Sequence, residues 1–173
     1  MTTSLYDATV LSFLQTLGAV DGFLARGLEH CSKQNIDPQD IVTTRLHPDM
    51  LPFWFQVGST VSHSVGALEG VRRGVFSPDR TPERDYAGLQ QAVAEARKTL
   101  AAVTAEEVNG FEGSDAKFQL GERTIPFTGP NFLLSFSLPN FYFHASMAYG
   151  ILRSRGVPLG KRDFMGNLRI KRS

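Results

Sequence analysis

Four stretches of the chain repeat apolar residues at alternating steps of three and four, the spacing of one face of an α-helix. The first starts at Ser4, an N-cap residue, and runs to about Lys33. The second has Pro52 near its start and ends at Arg73-Gly74. The apolar stripes of these two predicted helices consist of Val10, Phe13, Leu17, Val20, Leu24, Leu28 and Cys31, and of Trp54, Val57, Val61, Val65 and Leu68.

The third and fourth helices carry equally clear start and stop signals. Thr81 as N-cap and Pro82 at the first helical position open helix 3, whose stripe continues to Val103. Helix 4 begins at Pro139 and ends at Gly156. Single extra helical turns are predicted within the connection 35–48 and after Thr104, and a short helical or irregular segment follows Gly129-Pro130.

The spacing changes to strict alternation between the third and fourth helices. Phe118, Leu120, Ile125 and Phe127 alternate with polar residues around Gly121-Glu122, which predicts a two-stranded hairpin. The pattern therefore predicts one all-α domain over residues 1–173, a four-helix bundle with a small β-hairpin inserted before the last helix.

The end of the chain also contains a packing signal. Gly160 to Phe164 form a polar cluster with one aromatic residue directly after helix 4. We predict that Phe164 packs against the bundle, that Asp163 pairs with a basic group or caps a turn, and that only 169–173 are mobile.

Composition narrows the classes of protein. The 173 residues are 42% hydrophobic and 20% charged, without a linker-like run, which excludes a disordered or low-complexity chain. The single Cys31 excludes zinc fingers and disulfides, and the N-terminus lacks a basic signal-peptide region, so we expect a cytoplasmic protein without a membrane segment. Seven basic residues in 151–173 are interpreted as a solvated end, and no nucleic-acid partner is expected.

Small residues at four-residue spacing suggest close helix contacts. Gly18 and Gly22 lie on helix 1, and Ser62, Gly66 and Gly70 lie on helix 2. These rows indicate either close packing within the subunit or a homodimer through helices 1 and 2, and we expect the homodimer.

The histidines are the candidate functional residues, because the sequence contains no nucleotide-binding, hydrolase or di-iron motif. His30 and His47 are interpreted as surface residues. His144 falls within the apolar arc of helix 4 and is expected in the interior as a hydrogen-bonded residue, a metal ligand or a catalytic group. His63 lies on the small-residue face of helix 2 and approaches His144 if that face also turns inward.

The run from Leu138 to Arg153, followed by Gly156-Val-Pro-Leu-Gly-Lys-Arg-Asp-Phe-Met-Gly166, closely resembles the C-terminal signature of an uncharacterised bacterial domain family. That family, a domain of unknown function, is placed in the DinB/YfiT-like superfamily of proposed metalloenzymes. The similarity extends to Arg45–Pro52 and Gln56-Val57, and so spans nearly the whole chain. The resemblance implies a DinB-like four-helix bundle.

The resemblance also implies a place to look for metal chemistry. Better-known superfamily members bind a divalent metal through one histidine on helix 2 and a His-x-x-x-His pair on helix 4, and some transfer low-molecular-weight thiols or isomerise small organic acids. Here His144 matches one member of that pair, but Asn140 and Ala148 stand four residues before and after it. Ser62-His63 stands where the family tends to place an acid.

Two functions from different classes remain open. The first, which we favour, is a metal-free bundle without a cofactor that binds a small molecule or partner in a pocket at Asn140 and His144. The alternative is an enzyme of the thiol transferase or hydrolase type that uses a divalent metal such as zinc or nickel. Its ligands would be His63, His144 and a third residue such as Asp49 or Glu69.

Overall fold

The computed structural model describes residues 3–78 and 82–171, and within them helices dominate. The helices are α1 (Leu5–Ala8), α2 (Val10–Gln34), α3 (Pro38–Val42), α4 (Phe53–Val61), α5 (Ala67–Arg73), α6 (Tyr86–Ala101), α7 (Ala105–Asn109), α8 (Gly129–Asn131), α9 (Leu138–Ser154) and α10 (Lys161–Met165). Two π-helical turns, Ser62–Gly66 and Phe132–Ser137, and three strands, β1 (Val75–Phe76), β2 (Asp115–Leu120) and β3 (Arg123–Thr128), complete the fold.

Helix 1 has the predicted start and core stripe. The Ser4 hydroxyl accepts from the Asp7 backbone N–H while the Asp7 carboxylate accepts from Ser4, and Thr9 separates α1 from α2. Asn35 ends α2 in the left-handed conformation. Leu28, assigned to the stripe, is 39% exposed, although Leu24 before it and Cys31 after it are buried.

Helix 2 is one helical stretch from Phe53 to Arg73 with a π turn in its middle, capped by left-handed Gly74 as predicted. Its buried face is turned relative to the predicted stripe: Val57 and Leu68 are buried, but Trp54, Val61 and Val65 are only half-buried. Gln56 and His63 are buried beside them. The row Gly66–Gly70 lies against Phe76 of β1, so that part of the row is a packing contact within the chain. The homodimer through helices 1 and 2 stays a prediction.

Helix 3 begins later than predicted. Thr81, the predicted N-cap, lies outside the described residues, and Pro82 to Asp85 are not helical. The Asp85 side chain accepts from the Gly88 N–H and caps α6 at Tyr86. Since Asp is as good a cap as Thr, the competing signal four residues downstream starts the helix.

The predicted hairpin is present, but an all-α fold is wrong in one respect. Strands β2 and β3 pair antiparallel with Phe118 opposite Ile125, and β1 adds a third strand parallel to β2. Two residues are too few to show an alternating pattern, which is why the sequence did not indicate β1.

Helix 4 starts before Pro139. Helical backbone runs without interruption from Gly129 through the second π turn to Ser154. Proline has no N–H and its ring clashes with the carbonyl four residues earlier in a regular α-helix, a conflict that the wider π turn relieves.

The C-terminal segment packs against the bundle, as predicted, and contacts both α2 and α9. Phe164 packs edge-on against Tyr149 with ring centroids 5.7 Å apart, and Asp163 pairs with Arg26 and accepts from the Gly160 N–H at 2.7 Å. The short helix α10 within this segment was not predicted. Met165 is held through its carbonyl, which accepts from the Gln15 amide at 2.9 Å.

The stretch Leu5–Gln34 is long and apolar enough to span a bilayer by length and composition alone, within the described part of the chain. Its most apolar window is 56% buried in the protein. A core helix meets the same criteria.

Candidate functional site

His63 and His144 face each other between helices 2 and 4. His63 lies in the first π turn and is 8% exposed, while His144 lies in α9 and is partly exposed. Their imidazole rings are nearly parallel, 13° apart, with centroids separated by 5.8 Å. The predicted approach of the two histidines is confirmed, and His144 is hydrogen-bonded as expected.

Gln56 holds His144. The Gln56 amide nitrogen donates to the Leu51 carbonyl at 2.9 Å, which turns its oxygen Oε1 towards His144 Nδ1 at 2.8 Å. An amide oxygen only accepts, so the neutral His144 ring carries its proton on Nδ1. Its Nε2 therefore keeps a free lone pair.

Ser137 holds His63. The Ser137 hydroxyl, fully buried at the end of the second π turn, lies 3.4 Å from His63 Nδ1. Each histidine is thus bonded to the polar residue seven positions before the other histidine, Gln56 before His63 and Ser137 before His144. Seven residues are two helical turns, and this crosswise pairing requires the two helices to run in opposite directions.

Aromatic side chains surround the pair. His144 contacts Phe55 and Phe143 with ring centroids 5.8 and 5.2 Å away, and His63 contacts Phe76 and Phe136 at 5.3 and 5.8 Å. Phe143 is 53% exposed, so the wall of the site opens to solvent on the side of α9.

Both imidazoles are neutral at physiological pH. Burial lowers the pKa of His144 to about 4. Burial, and secondarily the charge that His144 would carry, lowers the pKa of His63 to about 4. Because the protonated ring is desolvated among phenylalanines, the site favours two uncharged rings.

The Nε2 atoms of the pair have no hydrogen-bond partner among the described residues. No fully buried side-chain nitrogen or oxygen in that part of the chain lacks a partner. These two nitrogens are therefore the polar atoms of the pair that are left for solvent or a ligand.

A metal centre is not completed by the predicted third ligands. Asp49 pairs with the exposed His47, and Glu69 pairs with Arg72 and Arg73. Within residues 3–78 and 82–171, no cluster of three or more His, Cys, Asp or Glu side chains is placed to hold an ion. Two imidazoles fall short of the three protein ligands of a catalytic zinc, so the described donors do not fit the superfamily's metal.

Asn140, the other predicted pocket residue, lies one helical turn before His144. Its amide nitrogen donates to the Phe136 carbonyl at 2.7 Å, and Phe136 contacts His63. This bond is local to the helical stretch, so Asn140 bonds the backbone of its own helix and does not bond either histidine.

A cleft elsewhere on the protein is a weaker candidate for the functional site. It has a volume of about 760 Å³, lies beside the hairpin and is lined by Asp115, Lys117 and Asn131, among others. It holds no imidazole or thiol, whereas the histidine pair combines two titratable groups whose pKa values are lowered, a feature typical of functional sites.

Gln56 and Ser137 were missed by sequence reasoning. A polar residue two turns before each buried histidine was a signal that could have found them, since it lies on the same helical face. The π turns have no such signal.

The comparisons with known proteins agree with this fold. The family model for a domain of unknown function, DUF1993, matches residues 5–165. No curated protein matches the chain. A solved structure of a DinB family member protein from Shewanella denitrificans superposes with a TM-score of 0.81 at 23% identity, covering 98% of this chain and 96% of that one, so the shared fold is DinB-like. The resemblance found in the sequence is thereby confirmed, and the chain belongs to the DUF1993 family of domains of unknown function.

Proposed function

We propose that this protein is a metal-free binding protein, which holds a small molecule at the histidine pair. The observation that carries the proposal is the pair itself. Two neutral imidazoles are anchored through Nδ1 by Ser137 and Gln56, and no described residue bonds either Nε2. Anchored polar groups among aromatic side chains are the usual composition of a small-molecule site.

The anchoring supports binding over a purely structural role. A core histidine needs partners for both ring nitrogens, because an unmade buried hydrogen bond costs about 1 to 3 kcal/mol. Here only one nitrogen of each ring is used within the described residues, and because no fully buried side-chain nitrogen there lacks a partner, each Nε2 reaches the surface of the site. The second nitrogen is then available to a ligand.

The π turns also support a functional site. His63 lies within the first and Ser137 ends the second. A π turn inserts an extra residue into a helix at a cost in regular hydrogen bonding, and such turns occur frequently at functional sites.

The test is a fragment screen monitored by the imidazole Cε1–H resonances in NMR. We expect saturable shifts of His63 and His144 with aromatic fragments, and no saturable binding in His144→Phe. His47→Ala, which removes an exposed histidine 67% accessible in its side chain, is the matched control and retains binding.

Two results would overturn this proposal. One is the absence of any fragment that shifts the pair. The other is stoichiometric zinc or nickel in the dialysed protein by elemental analysis, which would favour the alternative, a divalent-metal-dependent enzyme built on His63 and His144.

A further inference from the structure

We propose that His63 and His144 are held in opposite neutral tautomers, so that the pair presents one N–H donor and one lone-pair acceptor. Such a pair selects an uncharged ligand group that both accepts and donates, of which a primary carboxamide is the simplest. This inference rests on the proposed function for its ligand, but its tautomers are a property of the protein alone.

The tautomer of His144 follows from a chain of two hydrogen bonds. The Leu51 carbonyl can only accept, so it orients the Gln56 amide with its nitrogen towards Leu51. The oxygen Oε1 then faces His144, whose Nδ1 must donate. The Nε2 atom of His144 is the acceptor of the pair.

The tautomer of His63 follows from the partner of Ser137. The hydroxyl is fully buried, and His63 Nδ1 is the one hydrogen-bond partner of its oxygen among the described residues. If His63 Nδ1 carried the proton and donated it, the hydroxyl hydrogen would remain buried without an acceptor. The hydroxyl therefore donates to Nδ1, and the His63 proton lies on Nε2.

Opposite tautomers determine which ligand chemistry fits. The rings are nearly parallel with centroids 5.8 Å apart, so a ligand group bound to one ring lies next to the other. A carboxamide oxygen accepts from His63 Nε2–H while its N–H donates to the His144 lone pair. A carboxylate offers only acceptors, so one of its oxygens would face the lone pair of His144 Nε2 and be repelled by it. The phenylalanines around the rings suit an aromatic body on the ligand.

The tautomers are tested by ¹⁵N NMR of the ligand-free protein at pH 7.5, where protonated and bare ring nitrogens resonate far apart. We expect a proton on Nδ1 of His144 and on Nε2 of His63. Ser137→Ala should abolish the single tautomer of His63. Ser135 is the control, because it lies on the same π turn and its exposed hydroxyl donates to the Asn131 carbonyl. Ser135→Ala should leave the His63 tautomer unchanged. The same tautomer on both rings would overturn the inference.

The ligand class is tested with three probes at the same pH. Benzamide should bind at the pair, and N,N-dimethylbenzamide, which has no N–H, should bind about tenfold more weakly for one lost hydrogen bond. Benzoate should bind no better than the dimethyl compound. Tighter binding of benzoate would overturn the inference while leaving the proposed function standing. Failure of all three probes to shift either histidine, with the tautomers as assigned, would instead overturn the proposed function.

Discussion

At the scale of single residues, the histidine pair makes stability depend on pH. Both histidines have a folded-state pKa of about 4, below the ordinary value of 6.5, so the unfolded chain binds protons more readily than the folded one. Their contribution is complete above pH 6.5 and is lost as the pH falls towards 4. We expect the free energy of unfolding in urea to be level from pH 8 to 7 and to fall steadily between pH 6.5 and 4.

The control for this pH dependence is the variant with both His63→Gln and His144→Gln. Glutamine does not titrate, so the slope between pH 6.5 and 4 should become shallower than in the wild type. An unchanged slope would assign the effect to carboxylates. Direct NMR titration of the two wild-type rings checks the same point if the double variant is too unstable to measure.

The hydrogen bond between Gln56 and His144 gives a second residue-scale prediction. His144→Ala leaves the Gln56 oxygen without its partner, and we expect a loss of about 1 to 3 kcal/mol in unfolding free energy. Because the loss comes from a protein hydrogen bond, it should be the same with and without EDTA. Destabilisation of the wild type by EDTA to the level of the variant would contradict this and indicate a metal ligand.

At the scale of elements, the contact between helix 2 and β1 depends on two glycines that differ sharply. A Cβ atom at Gly70 would lie 2.7 Å from the Phe76 Cβ and 3.2 Å from its Cα, so backbone would have to move. At Gly66 the nearest atoms would be 3.5 and 3.6 Å away, which is ordinary contact. We expect Gly70→Ala to cost about 1 to 3 kcal/mol by overpacking.

Gly66→Ala is the matched control, since alanine in a helix is favoured over glycine by about 0.5 to 1 kcal/mol. Urea unfolding of both variants should therefore show opposite signs. Equal losses would mean that the strand β1 does not pack on helix 2 as described.

The two π turns lie beside the site, since His63 stands within the first and Ser137 ends the second. An extra residue in a helix rotates the residues beyond it by about 100° relative to those before it. The turns therefore set how the helix segments on either side of the site face the core, whereas the seven-residue spacing places Gln56 with His63, and Ser137 with His144, on one face.

Across the molecule, the C-terminal segment contacts both the first and the last long helix. Phe164 packs on Tyr149, Asp163 pairs with Arg26, and the Met165 carbonyl bonds Gln15. Deleting residues 160–173 removes these contacts, and we expect it to lower the unfolding free energy by roughly 2 kcal/mol, the value of burying one large apolar side chain.

The control truncation removes residues 169–173 alone. Arg169 donates to the Asp7 carbonyl at 3.1 Å in an exposed position, and exposed contacts of this kind contribute little. Circular-dichroism melts of both truncated chains measure the loss of stability. Equal losses from the two deletions would contradict the prediction that residues 160–168 stabilise the fold.

Elements with local signals could be predicted from the amino-acid sequence. Ser4, Asp37, Gly74 and Thr104 act as caps through their own neighbours, and the alternation around Gly121 makes a hairpin wherever it is placed. The helical spacing predicted the bundle, and the family signature agreed with it. These features could be predicted because each one depends on residues within a few positions along the chain.

The two histidines were candidates from the sequence, but their partners and their arrangement follow from the packing of the helices. The parallel strand β1, the two π turns and the bonds from Gln56 to His144 and from Ser137 to His63 join residues that are 42 to 88 positions apart or lie inside helices of ordinary composition. Helical spacing shows which residues share a face, but not which faces meet or at what height. That register is set by the packing of the whole core, and with it the chemistry that the two histidines present.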